Sequence, residues 1–249
     1  MLNMKTITAA LFLCIIIFSS ASQTLNIKPY SMGEADTNHK YSLSANYPLI
    51  DFGPDALMGV RGIAEDINGT IMKLIMGQFT PFKQQALEDT MTCSGRESTL
   101  EINYSTIYKD NGYLCFMFET FSDPRCAAHP MTFRTSFNYS YTGKGLLSIS
   151  DLFTLGSGWL EYISDYCIKE LNDKAKKDGL ENNEANILEG AGPKEDNFYT
   201  FTVNEHSLDI VFNLYRVGPY VWGFQNVSIP WKGLIKMLDP TGPVGFMVK

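Results

Sequence analysis

The sequence predicts an α+β protein, with mainly antiparallel sheets built of hairpins and covered by about two long helices and a short C-terminal helix. Segments of alternating apolar and polar residues follow one another across short turns, and Asn111-Gly112 joins two of them. Two longer stretches instead repeat apolar residues every three or four positions, as amphipathic helices do. A hydrophobic fraction of 45% with 19% charged residues is enough for a buried core.

The first 22 residues have the pattern of a secretory signal peptide. Lys5 precedes an apolar run over residues 9–18, and four small residues follow it. The run has about ten residues, whereas a membrane-spanning helix needs about 20. The sequence therefore predicts export, to a secreted or periplasmic location, with cleavage after Ala21 or Ser22 and no membrane span after cleavage. A lipobox at Cys14 is the weaker alternative, because apolar residues continue beyond it.

Charge and composition exclude several partner classes. The net charge is −7, and it becomes one unit more negative without Lys5. Because no basic stripe is present, nucleic acid and anionic membranes are poor partners. The three histidines are scattered, and no CxxC or HExxH spacing occurs. We therefore expect neither a metal site nor a cofactor.

The first half begins with residues 23–40, which are polar and mixed and predict a leader or a poorly ordered arm. Residues 41–52 predict a strand, in which Pro48 indicates an edge position or an irregularity. A long amphipathic helix is predicted over residues 57–79, with Pro81 ending it.

A hairpin follows, with strands over residues 98–108 and 113–121 around Asn111-Gly112. The return strand is apolar on both faces, which predicts a central position in its sheet. The register of this hairpin places Cys93 and Cys126 near its open end, so we predict a disulfide between them. Cys115 faces Tyr108 in that register. Cys115 and Cys167 either form a second disulfide, if the later helix covers this sheet, or are two buried thiols.

The second half starts after a strand over residues 132–141. Ser150 is predicted to cap a short segment over residues 151–153, and Ser157 to cap a helix that extends to about Lys177. The polar stretch 178–196 predicts a long loop. Further predicted elements are a hairpin of residues 197–203 and 207–215, a strand over 221–229 and a closing helix over 231–238.

Candidate binding residues are His129, in a His-Pro turn, and the aromatic side chains Tyr215, Tyr220 and Trp222 near a Gly-Pro turn. His129 suits a ligand-binding or pH-responsive contact, or it simply anchors its turn by a backbone hydrogen bond. The aromatic rings suit stacking on sugars or anchoring of a protein partner, although core packing is the common use of such residues.

No catalytic constellation is recognisable. Gly156-Ser157-Gly158 lacks the strand-to-helix frame of a nucleophile elbow. Glu65 and Asp66 are neighbours on a predicted helix and therefore point to different faces, unlike a glycosidase pair. We therefore expect a protein that is not an enzyme.

Several short motifs occur in an order and spacing that resemble a known pair of secreted domains of unknown function. These domains form the extracellular region of RsiV-type, lysozyme-sensing anti-sigma factors and the N-terminal region of PdaC-type peptidoglycan deacetylases. The motifs include Tyr47-Pro48, Ile67-Asn68, Ala128-His129-Pro130, the run 147–153 and Val217-Gly218-Pro219-Tyr220. Cys126 and Ala127 stand where that family usually has glycines.

The resemblance implies an N-terminal half at residues 23–142 and a C-terminal half at 143–249, packed as one body. It implies a secreted, non-catalytic cell-envelope recognition protein that binds either a lysozyme-like muramidase or a peptidoglycan glycan. The chain has no room for a separate deacetylase domain beside these halves. The alternatives are a small cell-wall hydrolase or deacetylase that uses unidentified carboxylates, and a subunit of an envelope assembly. The sequence carries no signal of oligomeric state.

Overall fold

A computed structural model describes residues 25–54, 56–89 and 96–248. The α+β class is confirmed. The strands in this part of the chain are β1 (Asn26–Asp36), β2 (Tyr41–Asp51), β3 (Ser98–Asp110), β4 (Tyr113–Asp123), β5 (Met131–Ser140), β6 (Gly145–Leu146), β7 (Phe201–Val203), β8 (Ser207–Phe212) and β9 (Gln225–Pro230). The α-helices are α1 (Met58–Glu88), α2 (Trp159–Lys177), α3 (Glu184–Ala191) and α4 (Trp231–Leu234).

Two sheets organise the molecule. The first has the strand order β1-β2-β3-β4-β5-β6, and the second has the order β7-β8-β9. All the neighbouring strands pair antiparallel, apart from β2 and β3, which are parallel. The mainly antiparallel character is therefore confirmed. A parallel pair arises where α1 carries the chain back to the start of the sheet, as a crossover helix does.

The segment that was expected to be a leader or poorly ordered arm is instead β1. It pairs with β2 along its whole length, from Asn26 opposite Asp51 to Asp36 opposite Tyr41. Residues of β1 are mostly exposed, because this strand forms the edge of the sheet. An exposed edge strand needs no buried apolar face, so its sequence lacks the alternation that identifies inner strands.

The long helix extends beyond its predicted end. α1 continues through Pro81 to Glu88. Proline inside a helix removes one backbone hydrogen bond and costs about 3 kcal/mol. Phe82 and Ala86 are buried on the same stripe as Phe79, so apolar burial continues past the proline and offsets this cost.

The hairpin β3–β4 is confirmed, with the predicted register from Asp110 to Tyr108 and a shift of one residue beyond it. Asn111 and Gly112 both have positive φ, 52° and 80°, as this two-residue turn requires. Tyr108 lies opposite Cys115, and an irregularity in the pairing follows between Thr106 and Tyr108. β4 lies between β3 and β5, so its predicted central position is also confirmed.

β4 contributes to two hydrophobic clusters, one on each of its faces. Leu114, Phe116 and Phe118 pack in a cluster with α1, while Tyr113 and Cys115 belong to a second cluster built by residues after position 146. The second cluster contains the buried faces of α2 and of the β7-β8-β9 sheet. This double use explains why the β4 sequence is apolar on both faces.

The second half contains more helix than predicted. The stretch that was expected to be a polar loop holds α3 and short 3-10 turns at Glu181–Asn183 and Glu195–Phe198. α3 is short, and burial of Ile187 and Ala191 against the neighbouring cluster anchors it. The polar residues of α3 lie on the exposed outer face of the helix, which is why they suggested a loop. α4 ends at Leu234, four residues before the predicted end.

Both predicted serine caps are wrong. The 3-10 turn Ile149–Leu152 begins two residues earlier than expected, and Ser148 forms a capping box with Asp151. The residue at the N-cap of α2 is Gly158, which has a positive φ of 78°. The Ser157 hydroxyl is buried without a hydrogen-bond partner.

Cys115 and Cys167 are free, buried thiols, so the disulfide proposed between them is not formed. The helix that carries Cys167 packs on β9 at one edge of the second sheet. Cys115 lies at the opposite edge, where it hydrogen-bonds with the backbone of Val203 in β7. Two interstrand spacings of about 4.8 Å separate these edges, which exceeds the Cα separation that a disulfide spans.

Cys126 is disulfide-bonded. Its predicted partner, Cys93, lies outside the described residues, so the pairing stays a prediction. The proposed signal peptide also lies outside them. Within the described ranges, no helix combines the length and hydropathy that a membrane span requires.

Candidate functional site

A polar cleft with a volume of about 460 Å³ lies between the two sheets. Its first wall is the face of β3, β4 and β5 that α1 does not cover, and its second wall is the outer face of β7, β8 and β9. Its lining residues are Asn103, Tyr104, Ser105, Ile107, Met117, Glu119, Arg134, Thr202, Asp209, Val211, Asn226 and Ser228.

The strand period places these polar side chains in the cleft. In β8, Leu208 and Ile210 are buried in the cluster with α2, so the intervening Asp209 faces the cleft. The same alternation turns Glu119 of β4 away from α1, while the neighbouring Phe118 packs on that helix. Local alternation therefore builds both walls.

Arg134 is the only cationic residue among those that line the cleft. Its Nε donates to Glu119 at 2.9 Å, and its guanidinium carbon lies 4.2 Å from the ring centroid of Phe224. Asn213 fixes the backbone of Arg134 from the side: the Arg134 N–H donates to Asn213 at 2.6 Å, and the Asn213 amide donates to the Arg134 carbonyl at 2.9 Å. Backbone and side chain are thus both held in place.

Three of the predicted site residues form an aromatic row, His129–Tyr220–Tyr215. The His129 and Tyr220 ring centroids are 4.9 Å apart, and those of Tyr220 and Tyr215 are 5.5 Å apart. Tyr215 is 56% exposed and Tyr220 is 41% exposed, so the row is a surface feature. Core packing therefore does not explain these two tyrosines.

His129 also anchors its own turn, as the alternative interpretation proposed. Its Nδ1 lies 2.9 Å from the Pro130 carbonyl oxygen, which suits donation from a protonated Nδ1. The Nε2 edge of the ring is left for another contact. The two interpretations of His129 are therefore compatible, because one nitrogen holds the ring while the ring lies tilted against Tyr220.

Tyr215 has a left-handed backbone, with φ of 66°. This conformation costs a non-glycine residue about 1–2 kcal/mol. Bulky residues with positive φ are uncommon, and they concentrate at ligand-binding sites. The exposed Tyr215 ring buries little surface to offset this cost, so the strain is typical of a functional position.

Trp222 does not join the aromatic row. Its indole Nε1 donates to Asp178 at 2.9 Å, and its ring packs so closely on Gly218 that a Cβ there would approach it to 2.5 Å. The ring therefore packs against the end of α2 and stabilises the turn at Gly218. Phe224, two residues further on, stacks with Arg134 at the cleft instead.

The aromatic row and the cleft are connected through Arg134. Asn213, which holds the Arg134 backbone, lies two residues before Tyr215. His129 lies in the turn that leads into β5, the strand of Arg134. Sequence reasoning missed Arg134, Glu119 and Asn213. The first two lie opposite each other in β4 and β5, which a strand-pairing argument could have found, whereas Asn213 is 79 residues from Arg134.

Both carboxylates that line the cleft have internal partners. Glu119 accepts from Arg134, and Asp209 accepts from the Asn204 amide at 2.6 Å and the Ser207 hydroxyl at 2.8 Å. Across residues 25–54, 56–89 and 96–248, no group of three or more His, Cys, Asp or Glu side chains is placed to hold a metal ion.

A second recess, of about 470 Å³, lies between β1 and α1. Its lining is mainly apolar and includes Met32, Met76 and Phe79. Its charged residues, Glu34 and Lys83, pair with each other at 2.5 Å. None of the predicted site residues line this groove, so we place the candidate site at the polar cleft and the aromatic row.

Residues 150–232 match a family model described as a protein of unknown function, DUF3298. The matched segment includes α2, α3 and the whole β7-β8-β9 sheet, and with them Tyr215, Tyr220 and one wall of the cleft. The other wall, in β3 to β5, lies outside the matched segment.

A curated relative is the peptidoglycan-N-acetylmuramic acid deacetylase PdaC of Bacillus subtilis (strain 168). It is 24% identical over 172 residues, which cover 69% of this chain and 36% of the relative. This chain therefore matches only a minor part of that protein's length.

Two solved structures have the same fold. A DUF3298 family member from Bacteroides fragilis NCTC 9343 superposes with a TM-score of 0.61 at 14% identity, covering 92% of this chain and 98% of that chain. A DUF3298 family protein from Pseudomonas aeruginosa PAO1 gives 0.59 at 11% identity, with 88% and 95% covered. The chain thus contains a segment that matches the DUF3298 domain, within a fold similar to that of two members of that family.

Proposed function

We propose that this chain is a secreted, non-catalytic cell-envelope recognition protein that binds a peptidoglycan-derived glycan at the cleft and the aromatic row. The observation that carries the proposal is the exposed row itself, in which Tyr215 keeps a strained backbone and its ring lies tilted against that of Tyr220. Sugar rings present apolar faces that aromatic side chains cover well, while their hydroxyl and amide groups need polar partners. The polar cleft supplies such partners beside the row.

The relative's name supports a role related to the cell wall, since PdaC acts on peptidoglycan N-acetylmuramic acid. The resemblance to the extracellular region of RsiV-type anti-sigma factors supports an exported recognition module. The two halves, residues 23–142 and 143–249, would act together, because the cleft takes one wall mainly from each of them.

The test is a calorimetric titration of the purified chain with soluble peptidoglycan fragments. We expect binding that weakens at least tenfold in Tyr220→Ala, because stacking on one aromatic ring contributes about 1–3 kcal/mol. Tyr30→Ala is the matched control: Tyr30 is also 56% exposed, like Tyr215, but it lies on β1 and packs on Tyr47. Absence of binding to all fragments would remove the proposal.

A lysozyme-like muramidase is the second candidate ligand. The net charge of −7 favours it, because opposite charge accelerates encounter with a basic partner. Titration with lysozyme, at low and at physiological salt, separates it from the glycan: a protein partner binds without any added fragment. Turnover of peptidoglycan by the purified chain, lost on substitution of one carboxylate, would instead favour the small hydrolase or deacetylase.

A further inference from the structure

The hydrogen-bonding groups of the cleft are unevenly satisfied. Its two carboxylates already accept hydrogen bonds from neighbouring side chains. Arg134 has five N–H donors on its guanidinium. Its Nε is used on Glu119, but the two terminal nitrogens have no partner among the described residues. The strongest unmet requirement of the cleft is therefore for an acceptor at Arg134.

The terminal nitrogens of Arg134 are held ready for such an acceptor. The guanidinium carbon lies over the Phe224 ring at 4.2 Å from its centroid, and the hydrogen bond to Glu119 holds Nε. Asn213 removes the remaining freedom of the backbone. An arginine that is stacked on an aromatic ring and held at Nε presents its end as a planar fork, which matches the two oxygens of a carboxylate.

From these contacts we infer that the cleft recognises a carboxylate carried by its glycan ligand, and that Arg134 binds it through both terminal nitrogens. This inference rests on the proposed function and adds the chemical class of the ligand, an acidic amino sugar. The Arg134 side chain is 29% exposed, so a ligand can reach it. Because most of the side chain is buried, water screens its positive charge less than it would at a fully exposed position. Glu119 moderates the attraction, because it competes with the ligand for the same cation.

Two sources offer this carboxylate in a peptidoglycan fragment. One is the lactyl group of N-acetylmuramic acid, and the other is the peptide that is attached to the lactyl group. Three disaccharides separate them: N-acetylglucosaminyl-N-acetylmuramic acid with a free lactyl carboxylate, the same disaccharide with that carboxylate amidated, and the form whose lactyl group carries a dipeptide with its own carboxylates.

The experiment measures the ratio of dissociation constants for the amidated and the acidic disaccharide in the full chain. We expect about a tenfold preference for an acidic form, because hydrogen bonds between ionised groups are stronger than those to a neutral amide while Glu119 competes for the same cation. In Arg134→Gln the ratio falls to about one. The acidic form that wild type prefers identifies the source.

Glu119→Gln should change the preference for the acidic ligand in the opposite direction. It removes the competing acceptor, so the preference for the acidic ligand should increase severalfold. If the ion pair of Glu119 with Arg134 mattered only for folding, this substitution would not increase the preference for the acidic ligand. Equal binding of acidic and amidated ligands by wild type would overturn the inference and leave the proposed function standing, whereas no binding of any disaccharide would overturn both.

Discussion

Tyr215 shows how one residue links backbone strain with the proposed binding surface. Asparagine adopts positive φ more readily than tyrosine does. We therefore predict that Tyr215→Asn raises the free energy of unfolding by about 0.5–1 kcal/mol. The same substitution removes a ring of the aromatic row and should weaken fragment binding about tenfold. Urea unfolding and calorimetric titration measure the two effects.

Tyr199 provides the control. It is 55% exposed, nearly as much as Tyr215, but its φ is −66°. Tyr199→Asn relieves no strain, so no gain in stability is expected. A loss of stability in Tyr215→Asn would show that the tyrosine ring contributes packing that outweighs its backbone strain.

The two free cysteines make the second prediction at this scale. Burial raises the pKa of the Cys115 thiol and that of the Cys167 thiol to about 12 each. In the unfolded chain a thiol has a pKa of about 8.5. Between these values the unfolded state releases protons that the folded state retains, so stability is fully present below about pH 8.5 and falls as pH rises toward 12.

Urea unfolding at several pH values from 9 to 11 measures this slope. We predict that Cys167→Ala makes the slope shallower by up to about 1.4 kcal/mol per pH unit, although its stability at neutral pH is lower because of the cavity. Comparison with wild type cancels the titration of tyrosines and lysines. An unchanged slope would contradict the burial of this thiol.

The residues of the site were only partly predictable from the sequence. His129, Tyr215 and Tyr220 stand near Pro-containing turns, where aromatic residues are conspicuous, and the structure brings these three together. Trp222 has the same sequence context, but its indole turns to Asp178. Local sequence does not distinguish these two outcomes, because the direction of a side chain after a turn depends on what packs behind it.

At the scale of elements, two strands are each held by an asparagine side chain that takes the place of a neighbouring strand. An asparagine side chain pairs with both backbone groups of a residue that has no strand on one side. Asn68 of α1 accepts from the Ile50 N–H at 2.8 Å and donates to the Ile50 carbonyl at 2.9 Å. β2 reaches this point after its pairing with β3 has ended at Ala45. Asn213 likewise accepts from the N–H of Arg134 in β5 and donates to its carbonyl.

We predict that Asn68→Ala lowers the free energy of unfolding by about 2 kcal/mol. Ile50 is buried, and each backbone group that is left unpaired away from water costs about 1–3 kcal/mol. Asn68→Asp should be nearly as harmful, because a carboxylate accepts from the N–H but repels the carbonyl. Thr70→Ala, two residues further along α1 and bonded only within the helix, should change stability by less than about 0.5 kcal/mol.

Elements with strong local signals were predicted, and those defined by their neighbours were not. The Asn111-Gly112 turn fixes the register of β3 and β4 from Asp110 to Tyr108 through its own backbone preference, so the sequence alone was sufficient there. The irregularity at Thr106 shifts all later pairs by one residue, and no local signal indicated it. β1 and α3 have weak local patterns, because the contacts that hold them lie on other elements. The predicted helix end at Pro81 was wrong for a related reason. Burial of Phe82 and Ala86 beyond the proline outweighs the hydrogen bond that the proline removes from the helix.

At the scale of the whole molecule, the two sheets meet through a buried polar network. Asn138 of β5 is 2% exposed. Its oxygen accepts from the Tyr113 hydroxyl at 3.0 Å, and its amide donates to the Phe201 carbonyl of β7 at 2.9 Å. Ser136 accepts from the Phe201 N–H at 3.0 Å. The first sheet therefore holds the edge of the second sheet by hydrogen bonds that no local pattern in the sequence indicates.

This network predicts how the halves unfold together. Asn138→Ala leaves the fully buried Tyr113 hydroxyl and a backbone carbonyl unpaired, so we expect the free energy of unfolding to fall by about 2–4 kcal/mol. Loss of this link between the two sheets should also uncouple the unfolding of the two halves. Trp159, Trp222 and Trp231 all lie in the C-terminal half, so their fluorescence follows that half alone.

Far-UV circular dichroism gives the second probe, because α1, in the N-terminal half, is the longest helix of the described chain at 31 residues. In wild type the two urea transitions should coincide, as two-state unfolding requires. In Asn138→Ala they should separate, whereas the exposed Asn182→Ala should leave them coincident. Coincident transitions in Asn138→Ala would mean that apolar contacts of β4, which supplies both clusters, are sufficient to couple the halves.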